Sequence, residues 1–461
     1  MKFLTADIGS TYTKLAAIDT VKREILATSA SFTTISSDVT IGFRDALDKL
    51  ESQIGKFDYQ KLLCCSSAAG GLKMVALGLV PSLTAKAARL AASSAGAKVI
   101  KTFSFEITQD EADEIQRISP DLILLCGGTD GGNKEIIIAN ARKVSSIDGD
   151  FSVIVAGNKC ASDEVAQILK NAKKSFVISA NVMPEFNKLN IEPARECIRR
   201  LFIEKIVEAK GLNALAQMSN HEIIPTPLAV MYGCELLSKG HGNLSGVGEL
   251  LAVDLGGATT DVYSIASGEP SAENIMFRGL PEPYSKRTVE GDLGMRYSIR
   301  FLAEECGTDW LAKESRCSAE QVKDWIETCS TTPQVIASPY SIQERVEMAL
   351  AKGAVKLAIE RHCGFIEPVY TPMGLMFTIN GKDLSNIPLL IGIGGAIINS
   401  SDYEYILSGA LKRDGDFSYA KPLSPVLKLD SSYILASMGL LSGHNPECAL
   451  EILKKEINSN I

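Results

Sequence analysis

The sequence predicts an α/β protein built from more than one lobe, and three observations carry that prediction. The chain has 461 residues, long for one core, and two or three lobes are the natural division. Its opening, KFLTADIGSTYTKLAAID, and a later stretch, ELLAVDLGGATTDVYSIAS, both read as strand, glycine turn, strand. Between them, from about residue 97, short apolar runs alternate with helical stretches, the rhythm of a parallel α/β unit.

Each element has a local reason. The first three strands are KFLTAD, KLAAID and EILATSAS, with Asp19-Thr20 making the second tight connection. A helix fits DVTIGFRDALDKLESQIG, where apolar residues recur at helical spacing and Gly55 stops the run. KLLCCSSAAG reads as a buried strand ending in small residues, and LTAKAARLAASSAG as a helix. The alternating unit is expected as an insertion or subdomain at about 97–210, with AKVIKTFSFEI, DLILLCGG, FSVIVAGN and KSFVISA as its strands. Its loop Gly127–Gly132 lies after a strand and before a helix, where ligands often sit in such sheets; a ligand-free turn accounts for it equally well. In the second half, most of 295–365 is helical, and SAEQVKDWIETC carries a capping pair, Ser318 as N-cap and Gln321 three residues on. PLLIGIGGAIINS is a strand running into a glycine turn. A helix, a break at Gly443 and a last helix begun by Asn445-Pro446 end the chain.

Composition narrows the function. Hydrophobic residues are 46% and charged residues 22%, ordinary for a globular protein. The formal charge of −8 is spread without blocks, which disfavours nucleic acid as the main partner and leaves room for a small nucleotide in a local pocket. Eleven cysteines form no CxxC pair, and with four histidines they offer no zinc spacing, so buried, reduced thiols are expected. Asp7 interrupts what a signal peptide would need, and the longest apolar segment, Ile387 to Ile398, is too short for a bilayer. The expectation is a cytoplasmic protein without a membrane partner.

The two glycine turns look paired. Asp7-Ile-Gly-Ser-Thr-Tyr-Thr-Lys14 and Asp254-Leu-Gly-Gly-Ala-Thr-Thr-Asp261 place an aspartate at a strand end before small and hydroxyl residues. Such a turn offers backbone N–H groups to an anion, and glycine permits close approach. A phosphate beside bare carboxylates requires a divalent cation between them, and magnesium suits that geometry. The candidate phosphate-binding residues are Gly9, Ser10, Thr11, Thr13, Lys14, Gly256, Gly257, Ala258, Thr259, Thr260 and Asp261; Asp7 and Asp254 are the metal-side carboxylates. A third element, Ile391 to Ala396, puts Gly392, Gly394 and Gly395 at a strand end where a nucleoside can lie against backbone.

These three elements in this order resemble the actin-like ATPase superfamily, which includes actin, heat-shock ATPase chaperones, sugar kinases and acyl-CoA dehydratase activators. The resemblance implies a two-lobed, ribonuclease H-like fold with duplicated mixed sheets and ATP with magnesium in the cleft. It divides the chain into an N-terminal lobe, 1–245, carrying the insertion, and a C-terminal lobe, 246–461, whose last helices from about 432 pack back on the first. PLAVMYGCELL and LASMGLLSG correspond to the two inter-lobe connections. CSSAAGGLKMVALGLVPSLTAKAARLAASSAGAKV, LLCGGTDGG, VAGN, DLGGATTDVYS and RTVEGDLGMRYS are together similar to the GlmL/MutL accessory proteins, unrelated to the mismatch-repair protein of like name. That resemblance runs nearly end to end. It implies a slow ATPase that reactivates an adenosylcobalamin-dependent mutase (glutamate mutase, or an ornithine or lysine aminomutase) by releasing damaged cobalamin. Glu290 and Asp292 are the candidates to orient or deprotonate the attacking water, with solvated turn carboxylates the plain alternative. Lys14 either reaches a phosphate or points away, since strand residues alternate faces. A small-molecule kinase, a hydantoinase-like ATP-dependent enzyme and a non-hydrolysing nucleotide scaffold share the same cleft. The dehydratase activator lacks support, because no iron–sulfur cysteine spacing is present. The sequence is compatible with a homo-oligomer and does not require one.

Overall fold

The structure is a computed structural model that describes residues 1–9, 11–34, 38–67, 73–95, 97–206, 212–219, 221–372 and 374–458. Strands β1 (Lys2–Ile8), β2 (Tyr12–Asp19) and β3 (Glu24–Phe32) form an antiparallel meander. Asp19 closes the β2–β3 turn by accepting from the N–H groups of Val21 and Lys22. Helix Val39–Ile54 starts where the Asp38 side chain accepts from Thr40 N and ends at Gly55, φ +78°. Its Phe43, Ala46 and Leu50 pack under the sheet. β4 (Lys61–Ser66) then adds parallel to β1.

A second sheet follows. β5 (Lys73–Gly78), β6 (Lys98–Ser104), β7 (Leu122–Leu125), β8 (Ser152–Val155) and β9 (Ser175–Ile178) are all parallel, in the order β6-β5-β7-β8-β9. The sheet thus begins upstream of residue 97, with a strand the sequence reading does not place. A six-residue run buried on both faces carries no alternation to mark it. One face shares a core with the first sheet through Met74, Ala76 and Leu124, beside Leu4 and Ala6. The other, with Val75, Leu77 and Ile123, is covered by the unit's own helices.

β10 (Ile224–Pro225) returns to the first sheet and completes the order β10-β4-β1-β2-β3. Helix Thr226–Lys239 leads through a small hairpin, β11 (Gly240–His241) and β12 (Leu244–Ser245), into the second half. There β13 (Leu250–Leu255) and β14 (Thr260–Ile265) pair antiparallel, β15 (Ile275–Phe277) departs, and β16 (Ser285–Glu290) rejoins beside β14. β17 (Phe365–Thr371) and β18 (Gly374–Asn380) join β15 in a three-stranded wing. β19 (Leu389–Ile393) and β20 (Val426–Leu429) lie parallel to β13, giving β16-β14-β13-β19-β20. That repeats the first sheet strand for strand, in order and direction. The chain therefore has the two-lobed actin-like ATPase fold, ribonuclease H-like, with duplicated mixed sheets and an α/β insertion in its N-terminal lobe.

Helices back the sheet of the second half, among them Ala319–Thr331, where Ser318 and Gln321 make the reciprocal cap read from the sequence. Between the sheets run two helices, Thr226–Lys239 and Ile434–Ser442, which share a core with Phe3, Leu250 and Ile391. They cross at glycines. A Cβ on Gly439 would lie 1.8 Å from the Ala229 carbonyl oxygen, and one on Gly233 2.3 Å from that of Leu435. The last helix, Pro446–Asn458, meets the first sheet through an Arg23–Glu451 ion pair. Helix Lys86–Ser94 of the insertion reaches the far lobe: Lys86 Nζ lies 3.0 Å from Glu282, and Arg287 donates to the Ser93 carbonyl at 3.0 Å. Among the described residues, no helix is long and apolar enough to cross a membrane.

Candidate functional site

Four chain segments converge on the cleft: the ends of β1 and β13, and the starts of the two connecting helices. Asp7 stands directly across from Lys14, and Asp254 directly across from Asp261. Residues opposed across a ladder share a face, so each pair points the same way. The Asp7 carboxylate accepts from Thr226 Oγ1 at 2.6 Å and from Cys65 Sγ at 3.5 Å. Thr226 is the first residue of its helix. On the other side Asp430, just beyond β20, accepts from the N–H groups of Ile434 at 2.7 Å and Leu435 at 2.9 Å, closing the start of the second helix.

The electrostatics follow from this convergence. Burial pushes the Asp254 carboxyl up to about 7, and Asp261, Asp7 and Asp430 push the same way while Lys14 opposes them. Burial likewise raises Asp430, against its two backbone donors and Lys14. Lys14 therefore points into the cleft with the aspartates, where its Nζ sits 3.7 Å from the centre of the Tyr433 ring. Tyr433 is held at φ +53°, and burial raises its hydroxyl to about 12.

The two turns are built alike. Gly9 N donates to Tyr12 O at 3.0 Å, and Gly256 N to Thr259 O at 2.9 Å. A Cβ on Gly9 would come within 2.6 Å of that oxygen, so the turn needs glycine. Thr11 is half-buried at the first turn, and Ser10 lies outside the described residues. Thr13 is buried and bonds Thr33 at 3.0 Å, facing the lobe interior. In the second turn Gly257 accepts from Arg296 N and Tyr297 N, and Ala258 from the Ser298 hydroxyl. Thr260 donates to Leu293 O, also away from the cleft. Thr259 donates to Asp261, whose other oxygen takes Arg287 Nε at 2.7 Å.

Of the third element, Gly394 has φ +96°, with a Cβ there falling 2.3 Å from Leu255 O. A Cβ on Gly395 would meet only Tyr433 Oη and Asn399 Nδ2, at 3.4 and 3.5 Å, so this turn is open to the cleft. Gly392 is placed differently from expectation. Its missing side chain faces Ile397 and Leu407 in the lobe core, which makes it a packing glycine.

Glu290 and Asp292 are not brought to Asp7 and Asp254. Arg361 clamps both, at 3.0 Å from Glu290 and 2.8 Å from Asp292, and also holds Glu305. Glu290 lies across from Thr260, which pairs with Leu255, on the face opposite Asp254 and Asp261. Burial raises its carboxyl although Arg361 pulls the other way. The residues that sequence reasoning missed are Thr226, Asp430, Tyr433 and Arg287. Two had a signal: Thr226-Pro227 is a helix start with an early proline, and Asp430 precedes an apolar helix by four residues.

Among the described residues no group of three or more His, Cys, Asp or Glu side chains could hold a metal. Asp7 and Asp254 lie within electrostatic reach of each other, and a pair of carboxylates is the number magnesium takes when it keeps several waters beside phosphate.

A profile of the family described as MutL protein matches residues 3–457. A protein named "Protein MutL" from Clostridium tetanomorphum is 46% identical over 457 residues, covering 98% of each chain. Among solved structures, the activator of the 2-hydroxyisocaproyl-CoA dehydratase from Clostridium difficile with bound ADPNP is 11% identical, with 100% of this chain and 97% of that one covered and a TM-score of 0.31. Gluconate kinase from Lactobacillus acidophilus is 11% identical, with 98% and 91% covered and a TM-score of 0.33. The strand order, not these distant overlaps, establishes the fold. With the match spanning both sheets and both glycine turns, the chain belongs to the MutL protein family.

Proposed function

We propose that this protein binds and slowly hydrolyses ATP with magnesium, and uses the cycle to reactivate an adenosylcobalamin-dependent mutase by releasing damaged cobalamin. Glutamate mutase is the first choice of target and an ornithine or lysine aminomutase the second. One observation carries the nucleotide half: of the aspartates at matching strand ends, Asp7 bonds Thr226 at the start of one connecting helix, and Asp254 lies within electrostatic reach of Asp430, which accepts from the first N–H groups of the other. A cation and phosphates held there touch parts of both lobes, 1–245 and 246–461, so nucleotide state sets the angle between them. Bound magnesium supplies neutralisation of phosphate charge. The chain's own part is to hold it with Asp7 and Asp254, to place Lys14 toward the phosphates, and to keep the site shielded by Tyr433. Family membership supports the accessory role. The mutase as target rests on the sequence resemblance.

Phosphate release from ATP by the protein alone, abolished by Asp254→Ala, is the expected result; a protein that binds ATP without turnover leaves the scaffold reading. Recovery of an inactivated mutase on adding the protein, ATP, magnesium and free adenosylcobalamin then decides the target. No effect on inactivation or cofactor exchange refutes reactivation.

A further inference from the structure

Water reaches both faces of the wing of β15, β18 and β17, at Phe365 and Met276 on one side and at Tyr370 and Leu375 on the other, and the second of these faces is apolar. Its registers set Ile366 opposite Ile379, Pro368 opposite Phe377 and Tyr370 opposite Leu375, and β15 adds two more apolar positions to that face. These paired positions carry no ionisable acid or base other than the tyrosine hydroxyl. Only Ile379, at the root, is fully buried, packed where Gly364 lacks a side chain. Outward from there Leu375 is 48% exposed and Tyr370 86%. A sheet face turned to water is ordinarily polar, and a contiguous apolar patch marks an interaction site.

The wing's outer edge is guarded although its face is not. Ile366 N donates to Ser418 O at 2.8 Å and Phe365 bridges to Tyr419, covering the start of β17. Pro368 removes a donor from the rest of that strand. Strand addition along β17 is thereby blunted, and what remains is docking flat against the face.

The size selects the occupant. Two strands of seven residues and one of three, at about 3.3 Å a residue and about 4.8 Å apart, give roughly 270 Å². A stable dimer needs about 800 Å² per partner, so a second copy on this face alone falls well short. An area this small suits a partner that is held briefly and let go. The wing is also wired to the cleft. Asn380 at its root accepts from Lys86 at 3.3 Å, on the helix whose Ser93 carbonyl takes Arg287, the partner of Asp261.

We propose that this face docks the target of the ATP cycle, the mutase, through an uncharged apolar surface on that protein. The proposal rests on the functional reading above. The test compares wild type with Tyr370→Ser/Leu375→Ser for binding to purified glutamate mutase in the presence of magnesium and ATP, with sedimentation velocity on each protein alone. Tyr370→Phe/Leu375→Met serves as the apolar control. The expected result is binding weakened about tenfold or more in the serine variant and kept in the control, with ATP hydrolysis unchanged. Serine-variant binding equal to wild type overturns the docking face and leaves the functional reading standing. A wild-type dimer that the serine variant abolishes assigns the face to a second copy and also overturns it. No binding by wild type refutes the functional reading itself, and the docking proposal with it.

Discussion

Replacing Asp254 by asparagine gives the sharpest test of the cleft electrostatics. In the nucleotide- and metal-free protein this carboxyl is raised from 3.8 to about 7, first by burial and then by Asp261, with Asp7 and Asp430 adding and Lys14 opposing. A carboxyl raised on folding stabilises fully below its unfolded value, and that contribution is lost as pH climbs through about 7. Three units at ~1.36 kcal/mol each set a ceiling of about 4 kcal/mol, and opening to the solvent of the cleft cuts this to roughly 2 kcal/mol. The asparagine side chain carries no charge to bury. The apo variant should therefore be about 2 kcal/mol more stable than wild type at pH 8 and no more stable at pH 4. Thermal melts in chelator from about pH 4 to about pH 8 read this as a gap of a few degrees opening with pH. A variant no more stable at the alkaline end, or equally stabilised at the acid end, refutes the crowding of carboxylates described here.

Three further outcomes are expected. Gly439→Ala drives a Cβ against the backbone carbonyl of Ala229, so the connecting helices must part; a cost of ~1–3 kcal/mol outweighs the helix-propensity gain of up to ~1 kcal/mol and lowers the melting temperature. Lys382, buried and lowered to about 7 by burial and by Lys286, binds fewer protons folded than unfolded between there and 10.5. Its contribution to stability is lost as pH falls through that window, so stability should rise with pH across it, and urea titrations at about pH 7 and about pH 9.5 should show the rise shrink in Lys382→Met. Arg287→Ala strands the buried Asp261 carboxylate and removes the guanidinium that donates to the Ser93 carbonyl, which should cost about 3–5 kcal/mol in urea unfolding.

Some of this was written locally in the chain. The turns at Gly9 and Gly256 could be read because a tight hairpin with hydroxyls and a strand-end aspartate is fixed by neighbouring residues. The Ser318–Gln321 cap was legible for the same reason. Strands without an alternating pattern were not: Lys73–Gly78 is buried on both faces, and Ser285–Glu290 is polar enough to pass for a loop motif. The wing is not legible in the sequence, because an apolar strand facing water has the same residues as one facing a core.

The sequence by itself determined the paired glycine turns, the α/β class and the aspartates that end β1 and β13. Only the tertiary structure decided which side chains share the cleft. Pleat and register turned Lys14 inward, set Glu290 on the opposite face, and sent Gly392 into the core. Topology carried Thr226 and Asp430 to the aspartates from the ends of β10 and β20. Backbone turn chemistry acts over three or four residues, whereas a site between two lobes exists only once both sheets have closed around the crossing helices.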